Sequence, residues 1–208
     1  MTTTQRGDRT WTFASRTYYG ALSRFNGPMH DLALHHLGLE AGDSVLDIGC
    51  GTGATLAALR DAVGPSGRVV GVDYNAGMVD RTRKFLRRKG IDAEVREADA
   101  TREPHGYEEF DAMIAITAFN AMPDVPAALR LAHDALRPGG RLFVFDVRLV
   151  PSSGFVEGTI TRLLRFGYRK LTAFTGADIV DEVERVFGTV DRIGVTPRLT
   201  ILLAHKKA

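Results

Sequence analysis

From Val45 to Gly53 the chain runs as an apolar strand, a carboxylate and three alternate glycines: Val45-Leu46-Asp47-Ile48-Gly49-Cys50-Gly51-Thr52-Gly53. A helical stretch from Ala54 to Arg60 follows. Glycines spaced this way let the backbone turn tightly and let a ligand approach without Cβ interference. The helix behind them directs unpaired backbone N–H groups at whatever sits in the turn. A nucleotide-like cofactor is the expected occupant.

The rest of the chain alternates in the same manner. Strands are predicted at Val45–Asp47, Arg68–Asp73, Ala93–Glu97, Asp111–Ile116 and Arg141–Asp146. Helices are predicted at Pro28–Leu37, Ala76–Lys89 (stopped by Gly90) and Val125–Leu136 (ended by Arg137-Pro138-Gly139-Gly140). The Asp111–Ile116 run is almost wholly apolar, which places it at the centre of a sheet. Alternating strands and helices predict a parallel sheet covered on both faces. The end departs from this: Val190–Thr196 and Leu199–His205 are separated only by Pro197-Arg198. No crossover helix fits so short a link, so the pair is an antiparallel hairpin.

Composition bounds the alternatives. The chain has 208 residues, 44% hydrophobic, which suits one α/β domain with a full core. No apolar run approaches the roughly 18 residues of a membrane span, and Met1–Arg9 lacks the apolar core of a signal peptide. A single cysteine rules out an internal disulfide and favours a reducing, cytoplasmic setting. That cysteine, Cys50, is expected to fill the tight turn rather than act as a nucleophile. A net charge of +2 does not argue for nucleic acid, and the basic run Arg81, Arg83, Lys84, Arg87, Arg88 and Lys89 fits the solvated face of a helix. No metal is expected.

Open α/β sheets bind ligands outside the carboxyl ends of their strands. Asp47, Asp73 and Asp99 fall there on three successive strands. A dinucleotide explains the glycines and Asp73, but not Asp47 or Asp99. A ligand with an ammonium group, a ribose and an adenine accounts for all three, with Asp47 near the amino-acid end, Asp73 on the ribose and Asp99 on the adenine amino group. S-adenosylmethionine has those parts.

The sequence here resembles the class I S-adenosylmethionine-dependent methyltransferases. Asp47–Gly53 is similar to their first motif and Gly71–Val79 to their ribose-binding segment. Ala98-Asp99-Ala100 resembles the adenine-binding motif, Phe110-Asp111-Ala112 through Met122-Pro123-Asp124 the fourth-strand motif, and Leu136–Leu142 the turn into the fifth strand. The resemblance covers about residues 17–146, in order, and the terminal hairpin fits the family's reversed last strand. It implies a Rossmann-like, seven-stranded, mostly parallel sheet with helices on both faces and a C-terminal antiparallel hairpin. It also implies one methyltransferase domain over 1–208: a polar tail at 1–16, cap helices at 17–43, a cofactor-binding core at 44–146, and substrate-side helices with the hairpin at 147–208. The cofactor residues carried over are Tyr19, Asp47, Gly49, Gly51, Gly53, Asp73, Tyr74, Met78, Asp99, Ala100 and Thr117. Tyr74 and Met78 lie along the adenine faces, Ala100 at its edge, and the Thr117 backbone near the methionine end.

Methyl transfer from a sulfonium is an in-line displacement in which the protein mainly positions and desolvates. A base is needed only where the nucleophile must lose a proton early, so the cofactor motifs single out no catalytic residue. The candidates are Tyr18, Tyr19, His30 and Asn120. Tyr18 and Tyr19 match a position where relatives set a tyrosine over the cofactor, and Asn120 stands where relatives often carry a histidine. His35 reads as a surface residue and His133 as remote from the strand ends. The loop Thr117-Ala118-Phe119-Asn120 lacks the pattern of nucleic-acid amine methyltransferases, which argues against a nucleic-acid substrate. Val150–Phe174 is amphipathic and basic, where relatives insert substrate-binding elements, and an amphiphilic acceptor near a membrane surface suits it.

The expected activity is methyl transfer to a small-molecule or lipid-like acceptor: a quinone precursor, a phospholipid amine or a natural-product hydroxyl or amine. The start Tyr18–Phe25 loosely resembles the quinone-biosynthesis and phospholipid-amine group, with Gly20 where an acid is usual. The alternative is a non-catalytic cofactor-binding subunit that activates a partner. Either a monomer or a homodimer is compatible with the sequence.

Overall fold

The computed structural model describes residues 28–150, 155–171, 176 and 178–208. Helix α1 (28–37) leads into β1 (Ser44–Ile48), α2 (Ala54–Val63), β2 (Arg68–Asp73), α3 (Ala76–Lys89), β3 (Glu94–Glu97) and β4 (Phe110–Ile116). Then follow α4 (Val125–Ala135), β5 (Leu136–Val147), α5 (Phe155–Leu171), α6 (Ile179–Phe187), β6 (Thr189–Val195) and β7 (Leu199–His205). The strands form one seven-stranded sheet in the order β3-β2-β1-β4-β5-β7-β6. All neighbours are parallel except β5–β7 and β6–β7, which are antiparallel. The apolar β4 is the middle strand.

Side-chain alternation along the strands divides the core in two. Leu46, Ile48, Val70, Val72, Met113 and Ala115 pack with α4 and α6 on one face. Val45, Val69, Ala112 and Ile114 pack with Ala33 and Leu37 of α1, Leu56 and Leu59 of α2, and Val79 and Leu86 of α3 on the other. A period of two puts successive residues on opposite faces, so each strand serves both layers. The largest contributors, Phe110, Phe119 and Phe143, are fully buried, each worth about 1.5–3 kcal/mol of transfer free energy.

Helix ends follow local chemistry. The Asn75 side chain accepts from Met78 N at the start of α3, and Gly90 ends that helix in a left-handed conformation at φ 65°. Asp124 accepts from Ala127 N at the start of α4. One boundary differs from the sequence reading. Leu136–Gly140 was expected to end a helix and turn, yet it belongs to β5: Leu136 pairs with Phe110, and the ladder shifts register between Phe110 and Ala112. Gly139 N donates to Lys206 O and Lys206 N to Gly140 O. These main-chain bonds draw a Pro-Gly-Gly turn signal into the sheet.

Between β1 and β4 the chain reverses its direction of travel across the sheet, the position where open α/β sheets leave a crevice. The glycine loop leaves the end of β1 there and Thr117 leaves the end of β4.

Candidate active site

The glycine loop is tied to β2 by its own backbone. Gly49 N and Cys50 N both donate to Val72 O, at 2.8 and 3.0 Å, and Gly53 N donates to Cys50 O at 2.9 Å. Gly51 N donates to Asp73 Oδ2 at 2.9 Å, and Thr82 Oγ1 donates to Gly51 O at 2.6 Å. These loop amides therefore serve the fold, and the free donors lie further on, at the start of α2, where Gly53 supplies no side-chain cap. Two glycines are required by geometry. Gly49 has φ +75° and a Cβ there would lie 2.7 Å from Ala118 Cβ. Gly53 has φ +80° and a Cβ would lie 2.5 Å from Thr82 Cγ2. Cys50 is buried beneath the loop, and burial beside Asp47 and Asp73 pushes its thiol well up, so it is no nucleophile.

Two adjoining lobes open above the strand ends, sharing Gly49 and Thr117 in their walls. The larger is an open cleft of about 700 Å³, counted out to solvent, and is lined by Val72, Asp73, Tyr74, Met78, Asp99, Ala100 and neighbours up to Pro123. Asp73 lines it, Oδ2 accepting from Gly51 N and Oδ1 from Asn75 N, both at 2.9 Å. Burial pushes Asp73 up and those two bonds pull it down. Asp99 sits in a turn after β3, its Oδ1 accepting from Thr101 N at 3.0 Å and Thr101 Oγ1 at 2.7 Å.

The smaller lobe is lined by His30, Asp47, Cys50, Gly51, Thr52, Ala54, Thr55 and Ile116, besides the shared residues. Asp47 is 2% exposed, and its Oδ2 has no hydrogen-bond partner among the described residues. Burial, and secondarily Asp73, push its carboxyl up to about 8. His30 reaches the lobe from α1, with Nε2 3.0 Å from Thr55 Oγ1; burial lowers its pKa, so it is neutral near neutral pH. Thr117 holds φ 53°, a strained position for a β-branched residue. Its N–H donates to Phe145 O at 2.7 Å, which leaves the carbonyl as the backbone group it offers the cleft.

Of the residues the sequence singled out, Asp47, Gly49, Gly51, Asp73, Tyr74, Met78, Asp99, Ala100, Thr117 and His30 line these lobes. Gly53 stands just behind, capping α2. Tyr18 and Tyr19 lie outside the described residues. Asn120 is buried away from both lobes: its N–H donates to Asp146 Oδ2 and its side-chain amide to Val147 O. His35 is exposed on α1 beside His36, and His133 packs edge-on against Phe187.

Sequence reasoning passed over Asp146, although it too ends a strand. It is fully buried, held by backbone N–H groups of Ala118, Phe119, Asn120 and Val147, and burial nonetheless pushes it up to about 7. It fastens the loop after β4 onto the end of β5. Ala121, Met122 and Pro123 also line the larger lobe; Met122 and Pro123 sit in the fourth-strand motif and carried no such role.

Residues 45–140 match a family model described as a methyltransferase domain. The chain is 33% identical over 159 residues to the 27-O-demethylrifamycin SV methyltransferase of Amycolatopsis mediterranei, covering 76% of this chain and 56% of that one. It is 39% identical over 111 residues to the ubiquinone/menaquinone biosynthesis C-methyltransferase UbiE of Hahella chejuensis, covering 52% and 45%. The chain thus spans about half the length of the curated relatives it matches. The crystal structure of YcgJ from Bacillus subtilis superposes with a TM-score of 0.72 at 17% identity, over 86% of this chain and 98% of that one. Five motifs in order, a matching methyltransferase-domain model over residues 45–140 and the seven-stranded sheet that carries them make the chain similar to the class I S-adenosylmethionine-dependent methyltransferases.

Proposed function

We propose that the protein transfers a methyl group from S-adenosylmethionine to a small-molecule or lipid-like acceptor. The observation that carries this reading is the pairing of two lobes across Gly49 and Thr117. The larger suits an adenosine, with Asp73 offering two carboxylate oxygens to ribose hydroxyls and Met78 an apolar wall. The smaller suits an amino-acid end, with the uncapped start of α2 for its carboxylate and the Asp47 carboxyl for its ammonium. When bound, the cofactor supplies a methyl group on a sulfonium, a good leaving group. The protein's tasks are to hold that group at the junction of the lobes, to exclude water, and to admit a nucleophile in line.

His30 is the imidazole that lines the cleft among the described residues. Neutral and partnered by Thr55, it is our candidate to accept a proton where the acceptor is a hydroxyl. The names of the two relatives, a rifamycin methyltransferase and a quinone-biosynthesis methyltransferase, support acceptors of small-molecule size. Helix α5 carries exposed Leu163, Leu164 and Phe166 beside exposed Arg162, which supports an amphiphilic acceptor met at an anionic lipid surface. Among the described residues no helix is long and apolar enough to cross a membrane, so such contact would be peripheral.

Calorimetry with S-adenosylmethionine, followed by a methyl-transfer screen across quinols, phospholipids and phenols, tests the reading. Binding followed by turnover on one class is expected. Binding without turnover on any acceptor favours the non-catalytic subunit, and no binding removes both. Co-sedimentation with liposomes with and without anionic lipid tests the surface contact; equal binding to both would remove it.

A further inference from the structure

Asp47 closes β1 and forms part of the floor of the smaller lobe. Its Oδ2 is sealed from solvent and meets no donor among the described residues. Among the described residues the groups around it supply no positive charge. From β2 comes Asp73, a second carboxylate. From the loop comes the Cys50 thiol, itself pushed up by both acids. From α1 comes His30, neutral and engaged with Thr55. Beside Asp47 in register, β2 offers Gly71 and β4 offers Ile114. Among the described residues no lysine or arginine lines the lobe. A bare carboxylate there would be a buried charge with neither counter-ion nor full hydrogen bonding, which is strongly unfavourable. Burial, and then Asp73, therefore favour the protonated carboxyl over the bare carboxylate in the empty site.

We propose that the site captures its cofactor by proton exchange: the ammonium of the incoming amino-acid end settles against Asp47, and the Asp47 proton leaves to solvent. The inference rests on the cofactor reading given above. The exchange balances without any change of covalent bonds in the ligand. A neutral carboxyl and a cationic ammonium become a carboxylate–ammonium pair, and one proton carries the positive charge into bulk water. An opposite charge close by favours the ionised carboxyl, so the bound state titrates lower than the empty one.

By linkage, the number of protons released sets the pH dependence of affinity. Below the Asp47 value of about 8, affinity should rise about tenfold per pH unit, until the pH falls to where the bound carboxyl also takes a proton. Above about 8 the rise should end and give way to a fall as the free ligand's own ammonium loses its proton.

The probe is S-adenosylhomocysteine, which keeps the amino-acid end, nucleoside and sulfur but has no methyl group to transfer. Titration at about pH 7 in two buffers of different ionisation enthalpy counts the protons released. We expect close to one for S-adenosylhomocysteine and none for 5′-methylthioadenosine, which shares the nucleoside and thioether but lacks the amino acid. Asp47→Asn should bring the S-adenosylhomocysteine count to zero and flatten the pH dependence. Should that variant fail to fold, the 5′-methylthioadenosine comparison on the unaltered protein still decides. Binding of S-adenosylhomocysteine with no proton release and pH-independent affinity would overturn the proposal and leave the cofactor reading standing. Equal release by both ligands would also overturn it, because the proton would then come from a group the amino acid does not touch. Failure of both ligands to bind at any pH would overturn the cofactor reading instead.

Discussion

Asp73 shows how one side chain joins fold to site. Its two oxygens hold the backbone at Gly51 and Asn75, and the same oxygens face the larger lobe. Asp73→Ala should weaken cofactor binding by about 1–3 kcal/mol, the cost of leaving ribose hydroxyls unpaired, as read by calorimetry. Unchanged affinity would remove the ribose assignment. Thr117 makes the opposite kind of prediction. Its φ of 53° costs a non-glycine residue about 1–3 kcal/mol, whereas glycine gives up about 0.5–1 kcal/mol in chain entropy. Thr117→Gly should therefore raise the urea midpoint, by up to about 2 kcal/mol in stability. A lower midpoint would mean that the threonine side chain contributes more than its backbone strain costs. Asp47 and Asp73 were legible in the sequence because each closes an apolar strand, whereas Asp99, after the charged strand Glu94–Glu97, was legible through its strand-end place and the motif Ala98-Asp99-Ala100. Asp146 carried the same signal, but its role depends on the fold of residues 118–120, which no local pattern announces. The His30–Thr55 contact was likewise out of reach, since it joins two helices through their packing.

Among the elements, an ion pair ties the end of β5 to the start of α6. Arg148 bonds Asp178 through Nε and Nη2, and Asp178 also caps α6 by accepting from Val180 N. Asp178→Ala removes both cap and pair, so it should cost about 1–2 kcal/mol. Arg148→Ala leaves the cap and should cost less, within about 1 kcal/mol. Urea unfolding of the two variants checks the order; a larger loss from Arg148→Ala would show that the bond from its Nη1 to Thr196 O carries more than the pair. At this scale the sequence was most readable where period and caps agree. The strand Arg68–Asp73 and the helix Ala76–Lys89 came out with the bounds their hydrophobic pattern and Gly90 implied. It was least readable at Leu136–Gly140, where long-range pairing with Phe110 and Lys206 overrides a turn signal.

For the whole molecule, buried titratable groups pull stability in two directions. Asp47 and Asp146 are raised to about 8 and about 7, so on raising the pH the unfolded chain loses their protons first. Their contribution is intact below an ordinary carboxylate pKa and falls as pH rises through the folded values. His30 is lowered, and His105 is lowered to about 4, chiefly by burial. Their contribution is lost as pH falls from the ordinary histidine range through the folded values. Between about pH 6.5 and about 8 only the carboxyls act, so the melting temperature of the ligand-free protein should decline over that interval. Thermal melts across it, repeated with Asp47→Asn, check this. A flat profile in the unaltered protein would mean that both carboxyls are ionised throughout. Saturating S-adenosylhomocysteine should shrink the decline, because the ligand's ammonium stabilises the charged form that the empty site disfavours.

Cys50 gives this molecule a built-in clock. It is the single thiol in 208 residues, it lies under the glycine loop, and Gly71 leaves it so little room that a Cβ there would come within 2.9 Å of its sulfur. A thiol reagent attacks the thiolate, and in the closed loop that form is both hidden and disfavoured. Each labelling event therefore records one excursion of the loop away from β2. The unaltered protein reports how often its cradle opens, and how far a bound ligand slows it, with no probe engineered into it.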